Sequence, residues 1–541
     1  MPTRPAKSAS LTVKQATISL LRAFGITKVF GNPGSTELPF LSDWPDDLEY
    51  VLALQEASAV GMADGYAQAT RNAGFVNLHS AAGVGNALGN IYTAHRNQTP
   101  LVITAGQQAR SILPWQPFLY AERASEFPRP YVKFSVEPAR AEDVPAAIAR
   151  AYYQAMQPPC GPTFVSIPID DWGRRAQAVR TRQLSREIGP EREILRTLAS
   201  ALSESECPAF VVGPAIDRAQ AVALMVRVAE KARASVWVSP FSARCSFPER
   251  HPQFAGFLPA SPTQLSDALS HHDLVVVVGA PVFTFHVEGH AAIFDGKTTL
   301  FQITDDPDAA AMTPLGTSIV ATMKPALSGL VELLPKAKRA LPAGRTLPSS
   351  PAASDPIQVE FLLHTLANAM PEDAALVEEV PSHRPVMQQF MPMRGQDSFY
   401  TMASGGLGYS LPASVGIALG QARRRTVCLI GDGSLMYSIQ ALWTAAQRKL
   451  PLSVVVINNS GYGAMRSFSQ VMQVRNVPGL DLPGLDFVKI AQGHGCDAVR
   501  VTKAAELAPA LARGLAHDGV SLIEVVVDSA VPLLYAQKGR T

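Results

Sequence analysis

The residues of this chain most ready to do chemistry are an aspartate and an asparagine set far apart in sequence. An apolar run, Thr426–Ile430, stops at Gly431-Asp432-Gly433. A helix is expected from Ser434 to about Lys449, and a second apolar run, Leu452–Ile457, ends at Asn458-Asn459. Strand, helix and strand in this order make a parallel crossover, whose right-handedness puts both strand ends on one edge of the sheet. Asp432 and Asn459 therefore come side by side. A carboxylate, an amide oxygen and the backbone carbonyl of Gly461 supply half an octahedral Mg²⁺ shell, and Mg²⁺ takes its other ligands from phosphate and water. Gly431 and Gly433 let the backbone approach phosphates, and the helix start at Ser434 offers amide donors and a positive dipole end. The pattern describes a site for a metal-bound diphosphate, although GDG alone would be an ordinary strand-to-helix turn.

The elements that must position such a site are α/β throughout. At 541 residues and 47% apolar composition the chain is expected to fold as about three domains with sizeable cores. Two charged or Pro/Ala/Ser-rich stretches, Ile169–Glu193 and Leu334–Asp355, read as linkers and divide it into 1–185, 190–340 and 355–541. Each part alternates short Val/Ile/Leu runs with amphipathic helix-length stretches, the pattern of doubly wound parallel sheets. Strands are expected at Lys28–Phe30, Tyr50–Leu54, Phe75–Leu78, Leu101–Thr104 and Thr163–Ile167 in the first part. The middle part offers Ala209–Val212, Val236–Val238, Leu274–Val278 and Thr299–Ile303, and the last Ala375–Glu378, Thr426–Ile430, Ser453–Asn458 and Ser521–Val527. Lys plus Arg, at 47, nearly balances Asp plus Glu, at 45, which gives no footprint for nucleic acid or a membrane surface. No apolar run has the length of a membrane span, and the N-terminus lacks the apolar core of a secretory signal. Five scattered cysteines carry neither disulfide nor zinc spacing and read as reduced thiols. A cytoplasmic enzyme is expected.

GDG followed at this distance by a strand ending in NN resembles the signature of the thiamine diphosphate-dependent enzymes. The resemblance implies pyrimidine-binding, central and diphosphate-binding domains, in that order, with thiamine diphosphate and Mg²⁺ (or Ca²⁺ in its place) as cofactors. Three strand ends of the first part carry polar or glycine-rich groups: Gly31-Asn32-Pro33-Gly34-Ser35, Gln55-Glu56-Ala57-Ser58, and His79-Ser80-Ala81-Ala82-Gly83. Glu56 lies in a nearly apolar stretch, where an unpaired carboxylate is costly. It could simply answer a helix dipole. Within the resemblance it is the acid that shares a proton with the aminopyrimidine ring of the cofactor, so that the cofactor supplies its own base. In Gly405-Gly406-Leu407-Gly408, Leu407 would be the wedge that bends the cofactor. The same resemblance assigns Asn32, Ser382, Gly405, Gly433, Ser434 and Tyr462 to cofactor binding.

Within the family the chain is most similar to the benzoylformate decarboxylases, through GNPGSTELPFL at 31–41, LALQEAS at 52–58, ADGYAQA at 63–69 and NLHSAAG at 77–83. TAGQQ at 104–108, GAPVF at 279–283, ALWTAAQ at 441–447 and NVPGLDLPGLDF at 476–487 continue it. This implies that Ser35 holds the substrate carboxylate and that His79 and His286 are the active-site histidines. It also implies that Phe118, Leu119, Met465 and Phe468 line an aromatic-acid pocket. Decarboxylation of a 2-keto acid needs proton donors at its oxygen and at its carbon, and a base for product release. Imidazoles serve both directions near neutral pH. His290, four residues after His286, lacks the third ligand a zinc site would need. The expected activity is conversion of benzoylformate to benzaldehyde and CO₂, with carboligation as a side activity. The alternative is a carboligase of the acetohydroxyacid synthase type, which generally lacks the histidine pair. The family builds each site from two subunits, so a homo-oligomer is expected, a dimer or more readily a tetramer. Three departures bear on the substrate: Val380-Pro381-Ser382-His383 replaces a run of small hydroxylated residues, Ser467 stands where a tryptophan is expected, and the 112–120 loop is unusually aromatic.

Overall fold

The computed structural model describes residues 11–421 and 424–535. The start of the chain, on which the signal-peptide argument rests, lies outside them as far as residue 10. A short antiparallel pair, β1 (Leu11–Thr12) with β8 (Arg175–Ala176), joins the two ends of the first third of the chain. Between them the first sheet contains β2 (Lys28–Gly31), β3 (Glu49–Leu52), β4 (Gly74–Leu78), β5 (Leu101–Gln107), β6 (Ser135–Val136) and β7 (Pro162–Pro168). The middle sheet contains β9 (Pro208–Val212), β10 (Ser235–Val238), β11 (Phe254–Phe257), β12 (Leu274–Val278), β13 (Thr299–Thr304) and β14 (Thr317–Val320). The last contains β15 (Ala375–Glu379), β16 (Phe399–Thr401), β17 (Thr426–Gly431), β18 (Leu452–Asn458), β19 (Asp497–Val501) and β20 (Ser521–Val526). All three sheets are six-stranded and parallel, and the fold is α/β with three doubly wound domains.

The strand orders distinguish them. The first sheet runs β3-β2-β4-β5-β7-β6 and the last runs β16-β15-β17-β18-β20-β19, the same winding in both. The middle sheet runs β11-β10-β9-β12-β13-β14, the order of a dinucleotide-binding fold. In the outer sheets the winding reverses between β2 and β4, and between β15 and β17. Ligands of open parallel sheets sit beyond the strand ends at such switch points. Those ends carry Asn32 and His79 in the first domain, and Glu379 and Asp432 in the last.

Residues of the first and last domains share one core, with Phe30, Val60 and Ile91 packed in the same cluster as Leu411, Val415 and Val454. Its centre is the crossing of helix Glu56–Thr70 on helix Ser410–Gly420. The two backbones nearly touch: a Cβ on Gly416 would lie 1.9 Å from the Met62 carbonyl oxygen, and one on Gly65 2.1 Å from that of Ala413. Among the described residues no helix is long and apolar enough to cross a membrane.

Candidate active site

The last domain builds its part of the site from strand ends in register. Gly431 of β17 pairs with Ile457 of β18, which carries Asp432 to the side of Asn459. Both side chains are buried, and the Gly461 N–H donates to Asp432 Oδ2 at 2.9 Å while the Gly433 N–H donates to Oδ1 at 2.8 Å. The Gly461 carbonyl accepts from the Gly463 N–H at 3.0 Å and keeps a second lone pair. Burial pushes the Asp432 carboxyl up, against the pull of its two backbone donors. Among the described residues no lysine or arginine forms an ion pair with it. A buried carboxylate of that kind suits a cation.

The helix expected from Ser434 to Lys449 is instead two pieces, Asp432–Leu435 and Ala441–Gln447. Between them the N–H groups of Tyr437, Ser438 and Ala441 bond three residues back, as turns rather than an α-helix. The bend sets Tyr437 against Gly408, at the end of the Leu407 loop. That loop hangs from Glu379. Its carboxylate accepts the N–H groups of Gly408 (2.7 Å), Tyr409 (3.0 Å) and Ser410 (2.7 Å), and burial raises it to about 7.

A cavity of about 1060 Å³ opens at these strand ends. Asp432, Gly433, Ser434, Asn459, Gly461 and Tyr462 line its inner end, and Ser382, Gly405 and Leu407 its flank. At the outer end stand His286, Met465 and Phe468. His286 follows β12, fixed by its N–H on the Ala260 carbonyl at 2.9 Å. Its ring lies edge-on to Phe468 at 5.1 Å and to Phe241 at 5.9 Å. His290 turns away to Asp295 and makes no metal pair with His286.

The remaining expected residues are not in that cavity. Asn32, Ser35, Glu56, His79, Phe118 and Leu119 belong to the first domain, and none of them lines it. The pocket expected between Phe118, Leu119, Met465 and Phe468 is thus not formed within one chain. Phe118 is 88% exposed. Glu56 does not stand unpaired in its apolar surroundings. It is the first residue of its helix, half-buried, and accepts from Asn86 Nδ2 at 3.1 Å. The helix-dipole placement and the acid role are compatible, since both need the carboxylate at the strand's carboxyl end.

His79 caps helix Ser80–Arg96 and reveals a partner that the sequence reading missed. Its Nδ1 lies 2.9 Å from Glu37 Oε2 and 3.0 Å from Thr36 Oγ1, and the Glu37 side chain is only 1% exposed. An ionised carboxylate can only accept, so Nδ1 carries the proton and Nε2 is left as the free basic nitrogen. Gly34 makes room, because a Cβ there would lie 2.2 Å from the His79 ring. The signal was present in GSTELPF, where an acid sits two residues after Ser35 with apolar residues following. A second residue missed is Tyr535, whose ring lies against His286 and Phe468. Elsewhere Cys207, His271 and His272 bring ligand atoms within 4.8 Å of one another, a cluster not visible from cysteine spacing. His272 is already engaged there, with Trp237 Nε1 at 3.3 Å and the Cys207 carbonyl at 3.0 Å.

Three thiamine pyrophosphate enzyme domain families match the chain in order: the N-terminal TPP binding domain at 11–126, the central domain at 195–330 and the C-terminal TPP binding domain at 379–525. The chain belongs to the thiamine pyrophosphate enzymes. Benzoylformate decarboxylase of Pseudomonas aeruginosa is 43% identical over 96% of this chain and 100% of its own length. The crystal structure of benzoylformate decarboxylase from Polynucleobacter necessarius superposes with a TM-score of 0.94 at 41% identity, covering 96% of this chain and 99% of that one. A thiamine diphosphate-dependent 4-hydroxybenzoylformate decarboxylase of Rhodococcus jostii RHA1 gives 0.92 at 41% identity, over 96% and 100%. This member of the family is a thiamine diphosphate-dependent carboxy-lyase, similar to benzoylformate decarboxylase.

Proposed function

We propose that the enzyme decarboxylates an aromatic 2-keto acid, with benzoylformate the reference substrate, in a site shared by two copies of the chain. The observation that carries this reading is the ring-lined outer end of the cavity, where Phe468 and Phe241 flank His286 and Met465 completes an apolar wall. Burying a phenyl group there is worth about 2–3 kcal/mol, a preference of roughly tens- to a hundred-fold over pyruvate.

Asp432, Asn459 and the Gly461 carbonyl would hold Mg²⁺, or Ca²⁺ in its place, on the cofactor diphosphate, with Gly433 letting the backbone come close and the Ser434 N–H as donor. Ser382, Gly405, Tyr462 and the Leu407 wedge would hold the rest of the cofactor. Bound thiamine diphosphate supplies the carbon nucleophile and the electron sink. The chain's own residues do the remainder. Glu56 and Asn32 would come from the partner's first domain, with Glu56 placed to share a proton with the aminopyrimidine. Ser35 orients the substrate carboxylate. His79, with Nε2 free and Nδ1 tied to Glu37, moves a proton at the keto oxygen. His286 delivers one to the carbon that has lost CO₂. One proton enters and CO₂ and the aldehyde leave, so the reaction balances without an oxidant. Leu38 (61% exposed), Leu54 (44%) and Phe118 (88%), around the first-domain residues, support a partner covering this face in a homodimer or tetramer.

Steady-state kinetics on benzoylformate, 4-hydroxybenzoylformate and pyruvate, with thiamine diphosphate and Mg²⁺ present, test the reading. CO₂ release should favour the aromatic acids at least about ten-fold in kcat/KM. Equal values for pyruvate and benzoylformate would remove the aromatic preference. Formation of acetohydroxy acids from pyruvate as the main product would favour the carboligase alternative.

A further inference from the structure

We infer that Tyr535, held at the mouth of the cavity by Ser467, determines the selectivity of the site for aromatic over short aliphatic 2-keto acids. The inference rests on the decarboxylase reading given above. The chain leaves β20 and crosses the last domain to Tyr535 without forming a further helix or strand. Only specific contacts can hold such a segment. One is the Leu534 N–H, which donates to Ser467 Oγ at 2.7 Å on helix Gly463–Val471. Ser467 is 1% exposed and Leu534 7%, so this hydrogen bond is shielded from water, and loss of its acceptor would leave a buried donor unpaired. A tryptophan at position 467 has no acceptor to offer. Val531 packs over Gly463 and secures the start of the segment.

The anchored segment turns at Tyr535, whose backbone is left-handed at φ +60°, an uncommon state for a residue with a large side chain. The turn delivers the ring to the site. Its centroid lies 6.1 Å from that of Phe468 at an interplanar angle of 27°, and 5.5 Å from the His286 imidazole at 69°. Phe468 meets the same imidazole at 5.1 Å and 62°. Two aromatic rings thus bracket His286, one from a helix and one from the chain's last described residues. The Tyr535 hydroxyl makes no hydrogen bond to a described residue, so the ring face is what the site uses. A substrate phenyl beside His286 would pack on it, whereas the methyl of pyruvate would be too short to gain the same contact.

Three variants of the intact enzyme test this by kcat/KM for benzoylformate and pyruvate, with melting temperature and thiamine diphosphate binding measured alongside. Tyr535→Ala should lower the benzoylformate-to-pyruvate ratio about ten-fold or more, by loss of the benzoylformate value. Tyr535→Phe, which keeps the ring, should hold the ratio within about three-fold. Ser467→Ala, which keeps Tyr535 but frees the segment, should lower the ratio in the same direction. An unchanged ratio in folded, cofactor-binding Tyr535→Ala and Ser467→Ala proteins would overturn the inference while leaving the decarboxylase reading intact. If Tyr535→Ala does not fold, the Ser467→Ala ratio decides. Wild-type protein that decarboxylates no aromatic 2-keto acid would overturn both.

Discussion

A buried carboxylate set against one imidazole nitrogen leaves the other nitrogen free for chemistry, and Glu37 does this for His79. Glu37→Gln should reduce kcat/KM for the aromatic acid by about 10²-fold with little change in melting temperature. The glutamine amide can donate to Nδ1 and so favour the wrong tautomer. A variant with wild-type kinetics would reduce Glu37 to a packing residue. At the other strand end, Asp432→Ala should abolish retention of thiamine diphosphate and Mg²⁺ in titration calorimetry. Unchanged affinity would refute the metal assignment. Asp432, Asn459 and His79 were legible in sequence because each ends an apolar run whose parallel crossover fixes where it points. The role of Glu37 was not, although GSTELPF hints at it, because its burial depends on how that segment packs on β5. Tyr535 was not either, since it lies in an irregular segment placed by scattered contacts, the Leu534–Ser467 hydrogen bond among them.

At the scale of elements, the central strands were readable to within a few residues because they are buried on both faces and contain unbroken Val/Ile/Leu runs. The short edge strands β6, β11, β14, β16 and β19 were missed, having fewer apolar residues and one neighbour each. The helix after Asp432 is shorter than its composition suggests, because composition does not reveal the turn hydrogen bonds at 437–441. Helix against helix, the crossing of Glu56–Thr70 on Ser410–Gly420 depends on close backbone approach. Gly416→Ala should therefore cost about 1–3 kcal/mol in denaturant unfolding, since the added methyl meets the Met62 carbonyl. A neutral effect would mean that the helices can separate freely. Because Glu56 starts one of these helices and the Leu407 loop leads into the other, the variant should also lower kcat.

Across the whole molecule, the three domains meet at Arg244 of the middle domain. It bonds Asp217 in its own domain, Gln68 of the first at 2.7 Å and Asp397 of the last at 2.8 Å, and stacks on Tyr400 at 4.0 Å. A second interdomain group, Glu249, accepts from the Met393 N–H at 2.9 Å. Burial pushes Glu249 up to about 8 from an ordinary 4.5. A carboxyl raised on folding favours the folded state below its unfolded value, and that contribution is lost as pH rises through the folded value. Glu249→Gln should therefore gain in melting temperature relative to wild type as pH goes from 5 to 9. Parallel melting curves across that range would contradict the assignment.

The division of the catalytic residues between two faces of one chain is the central claim, and complementation tests it most directly. Glu56→Gln and Asp432→Ala chains, each inactive alone, are co-expressed with different tags and purified through both. If the two halves of a site come from different subunits, one site of each mixed dimer carries both changes and the other carries neither. Benzoylformate decarboxylation should then return to roughly a quarter to a half of the wild-type rate. A mixed assembly as inactive as its parents would contradict the account, because each site would then be drawn from a single chain.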